Sequence, residues 1–277
     1  MSNFRINVFK RASFCRNFEN YVFNGIQQKL FKFPIYLSAG QEYISATIAQ
    51  VMRDAGIEPN IFIQHRGHST YLAHDAPPKQ LIDELLGRKS GCAYGMGGSA
   101  SIHSKEKKIF GHDGLMGSQA PIAVGHCYVS REPTIVHLGD ASAEEDYVLG
   151  ALGWASTKNL PMLFVVEDNN LSILTEKRVR RNWEMHDVAK AFNMRGIDVD
   201  DHPLHLKKAL EGVFSEPMLL NVNTHRKYWH SGAGIDDEGI FDRYEEEKSF
   251  LGDDAAKIDQ EMKEKVEKLW QQQLETL

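Results

Sequence analysis

Two short motifs, Gly139-Asp140 and Asn169-Asn170, offer a carboxylate and amide oxygens. Such donors suit Mg²⁺, which takes oxygen ligands and shares its shell with substrate phosphates. What precedes each motif decides whether they can meet. Thr134-Ile-Val-His-Leu138 and Met162-Leu-Phe-Val-Val166 are apolar, β-branched runs of the kind that form buried strands. Between them Glu144–Lys158 has helical composition, and Pro161 opens the second run. Strand, helix, strand implies a right-handed crossover and parallel strands. Asp140 and Asn169 then lie at strand carboxyl ends, where open α/β sheets take ligands. Short motifs also recur by chance: Asp140 as a helix cap and Asn169 as a turn is the plain alternative. Ser142-Ala-Glu-Glu145 itself reads as a capping box. Both readings can hold together, because a helix amino end also favours a phosphate.

Three further segments carry chemistry. Gly111-His-Asp-Gly-Leu-Met-Gly-Ser-Gln119 precedes a helix expected over 120–128. Its glycines allow close backbone approach to a flat ligand, and main-chain groups of Gly114 and Met116 could bond a heterocycle; a plain turn is the alternative. His65-Arg66-Gly67-His68 follows a strand expected at Ile61-Phe-Ile63. The Arg66 guanidinium can grip phosphate oxygens bidentately, although a surface arginine and a structural His68 are the bland possibilities. Thr224-His-Arg-Lys-Tyr-Trp-His230-Ser231 follows an expected buried strand, Met218–Val222, and leads into a Gly-rich stretch. Histidine there suits proton transfer, and residues 224–239 are expected to form a mobile loop. Gly87, Gly91, Gly95, Gly97 and Gly98 mark another loop that needs unusual dihedrals or close backbone approach.

The bulk properties narrow the class. A chain of 277 residues can bury a substantial core in one domain or two. Charged residues at 25% and apolar residues at 42% describe an ordinary globular protein. A net charge of −6, without basic clusters interleaved with aromatics, argues against a nucleic-acid surface. No apolar run approaches membrane-spanning length. The three scattered cysteines suggest neither a disulfide framework nor a metal cluster, and a reducing compartment fits. Residues 1–18 are basic and lack acids, as in transit peptides. Phe9, Phe14 and Phe18 lie near helical spacing and favour an amphipathic first helix instead. Helices are also expected at Glu42–Met52, 79–87, Asn182–Asn193, His205–Phe214 and Ala255–Leu274. The last aligns Ile258, Met262, Val266, Leu269, Trp270 and Leu274 on one face.

Taken together, the chain resembles the alpha subunit of the thiamine diphosphate-dependent decarboxylating component of 2-oxo acid dehydrogenases. The resemblance runs from Arg16–Glu19 through Ala39-Gly-Gln-Glu42, the Gly87–Ser99 stretch and Gly114–Gln119 to Thr224–Ser231. It implies a single α/β thiamine diphosphate-binding (PP-type) domain over 1–277, with a mostly parallel central sheet and helices on both faces. An active-site loop over 224–239 and a closing helix over 253–277 belong to that picture. Mg²⁺ would be held by Asp140, Asn169 and the Leu171 carbonyl. Arg66 would bind the diphosphate, with Gly139, Ala141 and Ser142 lying against it and His65 beside the cofactor. Gly114 and Met116 would meet the aminopyrimidine, and His68 and His230 would handle protons or the substrate carboxylate. Ser231 stands where some family members are phosphorylated. The cofactor-activating glutamate comes from a beta subunit in this family, so the isolated chain is expected to be inactive and to work as a heterotetramer. Because Arg16–Glu19 already belongs to the pattern, a cytoplasmic location is expected.

Departures leave the substrate open. Ala141 stands where the family usually has Gly, His65 where Tyr is common, and Trp229 where a small residue precedes His230. Glu144-Glu145-Asp146 is unusually acidic and is expected to point away from the phosphates. A lipoyl-domain acceptor, a biosynthetic carboligase with a small acceptor, the amino-terminal half of a split transketolase, and a non-catalytic scaffold are the competing readings.

Overall fold

The β-branched runs line up side by side. In this computed structural model, which describes residues 3–232, 234–235 and 239–276, six strands form one parallel sheet. They are β1 (Asn60–Phe62), β2 (Ile109–Phe110), β3 (Thr134–Gly139), β4 (Met162–Asp168), β7 (Arg195–Asp200) and β8 (Met218–Asn223). Their spatial order is β2-β1-β3-β4-β8-β7. A separate antiparallel hairpin, β5 (Leu171–Ser172) with β6 (Thr175–Glu176), follows β4.

Period-two alternation sends side chains to both faces of the sheet. Val136, Leu138, Phe164, Val166 and Leu219 pack under helices Gln119–Ser130 and Asp146–Thr157. Ile135, Leu163, Val165 and Leu220 pack on the other face, under helices Glu42–Ala55 and Pro203–Ala209. The sheet is thus covered on both sides, as parallel sheets require. The expected crossover from β3 to β4 is present, with Leu138 opposite Val166 and Gly139 opposite Glu167.

Sequence patterning missed several pieces. β7 is an edge strand whose Asp198 and Asp200 break the apolar run, and helix Arg243–Leu251 is rich in Glu. The capping box is not formed. Ser142 Oγ instead accepts from the Gly139 amide at 2.9 Å and donates to the Gly139 carbonyl at 3.0 Å, closing a turn before the helix. Helix Asp146–Thr157 begins without a side-chain cap. Of the 224–239 loop, residues 233 and 236–238 lie outside the described residues. The remainder holds one isolated bridge, Tyr228 with Ile235.

Two long helices, Asn3–Gln27 and Asp253–Leu274, pack together beside the sheet. Trp270 is fully buried and stacks on Tyr21 at 4.9 Å. Arg16 on the first of these helices is buried between two carboxylates, Glu42 at 2.5 Å and Asp242 at 2.8 Å. Breaking a buried ion pair strands the remaining charge. Arg16→Met should therefore lower unfolding stability by about 3–5 kcal/mol in urea titration. A loss below about 1 kcal/mol, the scale of an exposed pair, would show that the triad is not a structural tie.

Candidate functional site

Asp140 and Asn169 stand at the carboxyl edge of the sheet. Gly139 ends β3 and Asp168 ends β4, so Asp140 and Asn169 each follow immediately on neighbouring parallel strands. Asn169 is oriented from behind. Its Nδ2 donates to Gln41 Oε1 at 2.9 Å, and its Oδ1 accepts from the Leu171 amide at 3.1 Å. Gln41 Nε2 and Gln64 Nε2 both donate to Glu167 Oε2, at 2.8 and 2.7 Å, while Glu167 Oε1 meets His137 Nδ1 at 2.8 Å. Such outer contacts fix the direction of a ligating side chain.

Asp140 is buried, and its carboxyl titrates above the usual range because of burial and the nearby charge of Asp168. It is compensated by two arginines. Arg180 pairs with the Asp140 carboxylate, and Arg181 Nη1 donates to its backbone carbonyl at 2.9 Å. Glu144 turns inward rather than away. Its Oε1 accepts from Arg180 Nη1 at 2.6 Å and Arg181 Nη1 at 3.0 Å, whereas Glu145 and Asp146 stay exposed.

The donor set fits a hard cation. Among the described residues no cluster of three or more His, Cys, Asp or Glu could hold a metal. A metal here would rely on one carboxylate with amide and carbonyl oxygens, which suits Mg²⁺ better than Zn²⁺.

Arg66 and His230 come together across the edge. Arg66 is buried, and donates to the Leu37 carbonyl at 2.7 Å and the His230 carbonyl at 3.2 Å. Its Nη2 lies 3.4 Å from His230 Nδ1. Because a guanidinium only donates, that Nδ1 accepts, and a neutral His230 carries its proton on Nε2. Tyr36 packs edge-on to both His65 and His230, at ring separations of 5.0 and 5.5 Å. Gln64, the neighbour of His65, ties this group to β4 through its hydrogen bond to Glu167.

The 114–117 segment rests against the same turn. Gly117 has φ +83°, and a side chain there would come within 2.7 Å of the Ser142 carbonyl. The Gly114 amide is taken by His112 Nδ1 at 2.8 Å, and the Met116 carbonyl by the Tyr147 hydroxyl. Among the described residues, the Gly114 carbonyl and the Met116 amide have no backbone partner. With Nδ1 accepting, a neutral His112 carries its proton on Nε2, a buried atom without a partner. His65 Nε2 is likewise buried and unpartnered, and the two rings lie 6.0 Å apart.

His68 is set one layer back. It is fully buried, with Nδ1 on Glu19 at 2.8 Å and Nε2 on Ser99 Oγ at 2.9 Å. Ser99 Oγ also accepts from the Tyr36 amide at 3.0 Å. With both nitrogens engaged, His68 braces Tyr36 through Ser99. Sequence reasoning overlooked Tyr36, Gln41, His112, Glu167 and Arg180. Only Gln41 and His112 sat inside motifs that had drawn notice.

The Gly-rich loop that carries Ser99 is organised by one carboxylate. Glu84, fully buried, accepts from the amides of Ala93 at 2.7 Å, Gly95 at 2.9 Å, Gly97 at 2.7 Å and Gly98 at 3.1 Å. Backbone can close in this way only where side chains are absent: one on Gly97 would come within 2.2 Å of the Ser101 carbonyl.

Burial and the adjacent Arg66 charge push His65 down to about 2. Its ring should therefore stay neutral between about pH 5 and 8, where histidines ordinarily titrate. An NMR midpoint for His65 inside that window would overturn this electrostatic picture.

Comparison with known proteins places this architecture. A family model described as "Dehydrogenase E1 component" matches residues 10–269. A "Pyruvate dehydrogenase E1 component subunit alpha" from Rickettsia bellii (strain RML369-C) is 28% identical over 211 residues, covering 71% of this chain and 63% of that relative. A mitochondrial "Pyruvate dehydrogenase E1 component subunit alpha" from Dictyostelium discoideum is 26% identical over 255 residues, covering 87% and 65%. The chain thus spans less than two thirds of the length of these relatives. Among solved structures, transketolase from Leishmania mexicana superposes with a TM-score of 0.61 at 14% identity, covering 98% of this chain and 47% of that one. That likeness concerns the fold.

Proposed function

This chain belongs to the dehydrogenase E1 component family, and from that membership we propose that it is the alpha-type subunit of a two-subunit thiamine diphosphate-dependent enzyme. The reaction is oxidative decarboxylation of a 2-oxo acid such as pyruvate, with transfer of the acyl or hydroxyalkyl unit to an acceptor such as a lipoyl domain. The reading is carried by Asp140 and Asn169 at neighbouring strand ends, with Asn169 aimed by Gln41.

Thiamine diphosphate, when bound, supplies the carbanion chemistry, and the protein supplies orientation and electrostatics. In this reading Asp140, Asn169 and the Leu171 carbonyl hold Mg²⁺. Arg66 takes the diphosphate, with Gly139, Ala141 and Ser142 against it. The Gly114 carbonyl and Met116 amide orient the ring. His230 presents its Nε2 proton, while neutral His65 adds a hydrogen bond without charge. His68 keeps Tyr36 in place.

The partner is a beta-type subunit that brings the cofactor-activating glutamate, in a heterotetramer. Helices Gln119–Ser130 and Asp146–Thr157 are apolar, yet Ile122, Val129 and Trp154 are exposed on them, and Leu115 and Met116 are exposed at the site. Apolar surface of this kind supports a covering subunit. No helix among the described residues is long and apolar enough to cross a membrane. The three free cysteines support a cytoplasmic setting.

A second reading, a carboligase with a small hydroxylated acceptor, is favoured by the unpartnered Nε2 atoms of His65 and His112. Neutral imidazoles suit hydroxyl groups better than a lone carboxylate. Co-expression with the beta-type partner, scored on a panel of 2-oxo acids for CO₂ and product, separates the two. CO₂ release should require partner, thiamine diphosphate and Mg²⁺; full turnover by the purified chain alone would sink the two-subunit reading. Saturating the site at about a hundred times Kd should stabilise the chain by about 2.7 kcal/mol, and Asp140→Ala should abolish that gain.

A further inference from the structure

The hairpin β5–β6 and the helical turn Lys177–Arg180 leave the site at Asn169-Asn170 and fold straight back over it. They are pinned there. The Lys177 amide donates to the Asn170 carbonyl at 2.9 Å, and Lys177 Nζ pairs with Asp168 at 2.6 Å and Glu184 at 3.1 Å. The turn delivers Arg180 to Asp140 and Glu144, and Arg181 to Glu144 and the Asp140 carbonyl. Arg181 is further held over the Trp183 ring at 5.0 Å.

We propose that Arg180 is a resident counter-cation of the metal site, and that its pairing with Asp140 makes metal binding conditional on the diphosphate. This rests on the functional reading above. Asp140 is buried next to Asp168, and a buried carboxylate must be neutralised from within the protein. Arg180 does so. A divalent cation arriving alone meets a ligand whose charge is already satisfied and a guanidinium that repels it. A diphosphate arriving with the metal supplies the missing negative charge, so Arg180 keeps a counter-anion while Asp140 is shared. Glu144, which already accepts from Arg180 Nη1, keeps the guanidinium within reach as Asp140 changes partner.

The test is calorimetric titration and thermal shift of the full chain with Mg²⁺ alone, thiamine diphosphate alone, and both. The wild type should respond weakly to Mg²⁺ alone and strongly to the pair. Arg180→Gln should raise metal-alone affinity roughly tenfold, within the range usual for coupled sites, and reduce the dependence on diphosphate. Arg180→Lys, which keeps the charge on a shorter arm, should fall between and serves if the glutamine variant does not fold. Metal-alone affinity unchanged in the folded variants, with pair binding intact, would overturn this proposal only. A wild-type chain, alone and with its partner, that does not bind the pair would overturn the functional reading and this proposal with it.

Discussion

Three carboxylates buried side by side constrain everything around the site. Asp140, Glu167 and Asp168 stand at the ends of β3 and β4, each no more than 3% exposed. Carboxylates out of water must find hydrogen bonds and opposite charge in the protein. Each does so differently: Asp140 with Arg180, Glu167 with Gln41, Gln64 and His137, and Asp168 with Lys177 and Asn221. These partners come from the start of helix Glu42–Ala55, the end of β1, β3, the turn after β6, and β8. Neutralising one strand edge therefore recruits most of the elements that surround it.

A second buried carboxylate works through backbone instead of side chains. Glu84 gathers four amides of the Gly-rich loop, which fixes Ser99, and Ser99 in turn meets His68 and Tyr36. Tyr36 then stands against His65 and His230. His65 and His230 are thus held by a relay that begins on the far side of the loop. A loop so glycine-rich would otherwise be the freest part of the chain, and here it is tied at four points.

The crossover, its parallel strands and the placement of Asp140 and Asn169 just after neighbouring strand ends were legible because continuous β-branched runs report burial on both faces. Legibility failed where burial was polar or partners were distant. Glu167 reads as the charged end of a strand until Gln41, far away in sequence, is seen beside it. Arg180 and Arg181 lie in a basic stretch indistinguishable from a solvated surface. β7 was hidden because Asp198 and Asp200 interrupt its apolar residues. For His68 the sequence left a chemical and a structural role open, because the distant Glu19 and Ser99 that meet its two nitrogens leave no local trace. Ser142 reads as a cap from its spacing to Glu145, yet its hydroxyl closes the turn behind it.

The pairing of helix Asn3–Gln27 with helix Asp253–Leu274 has a consequence for how this molecule comes into being. Arg16 meets Asp242, Ser13 meets Asp259, and Tyr21 stacks on Trp270, all contacts across more than two hundred residues. On the ribosome the first helix emerges long before these partners, with its apolar stripe and buried-to-be charges uncovered. Contacts so distant in sequence close late and slow the search for the native state. The central sheet can assemble in the meantime, but helix Asn3–Gln27 must wait until helix Asp253–Leu274 has been made, and in that interval its uncovered face is exposed to misassembly.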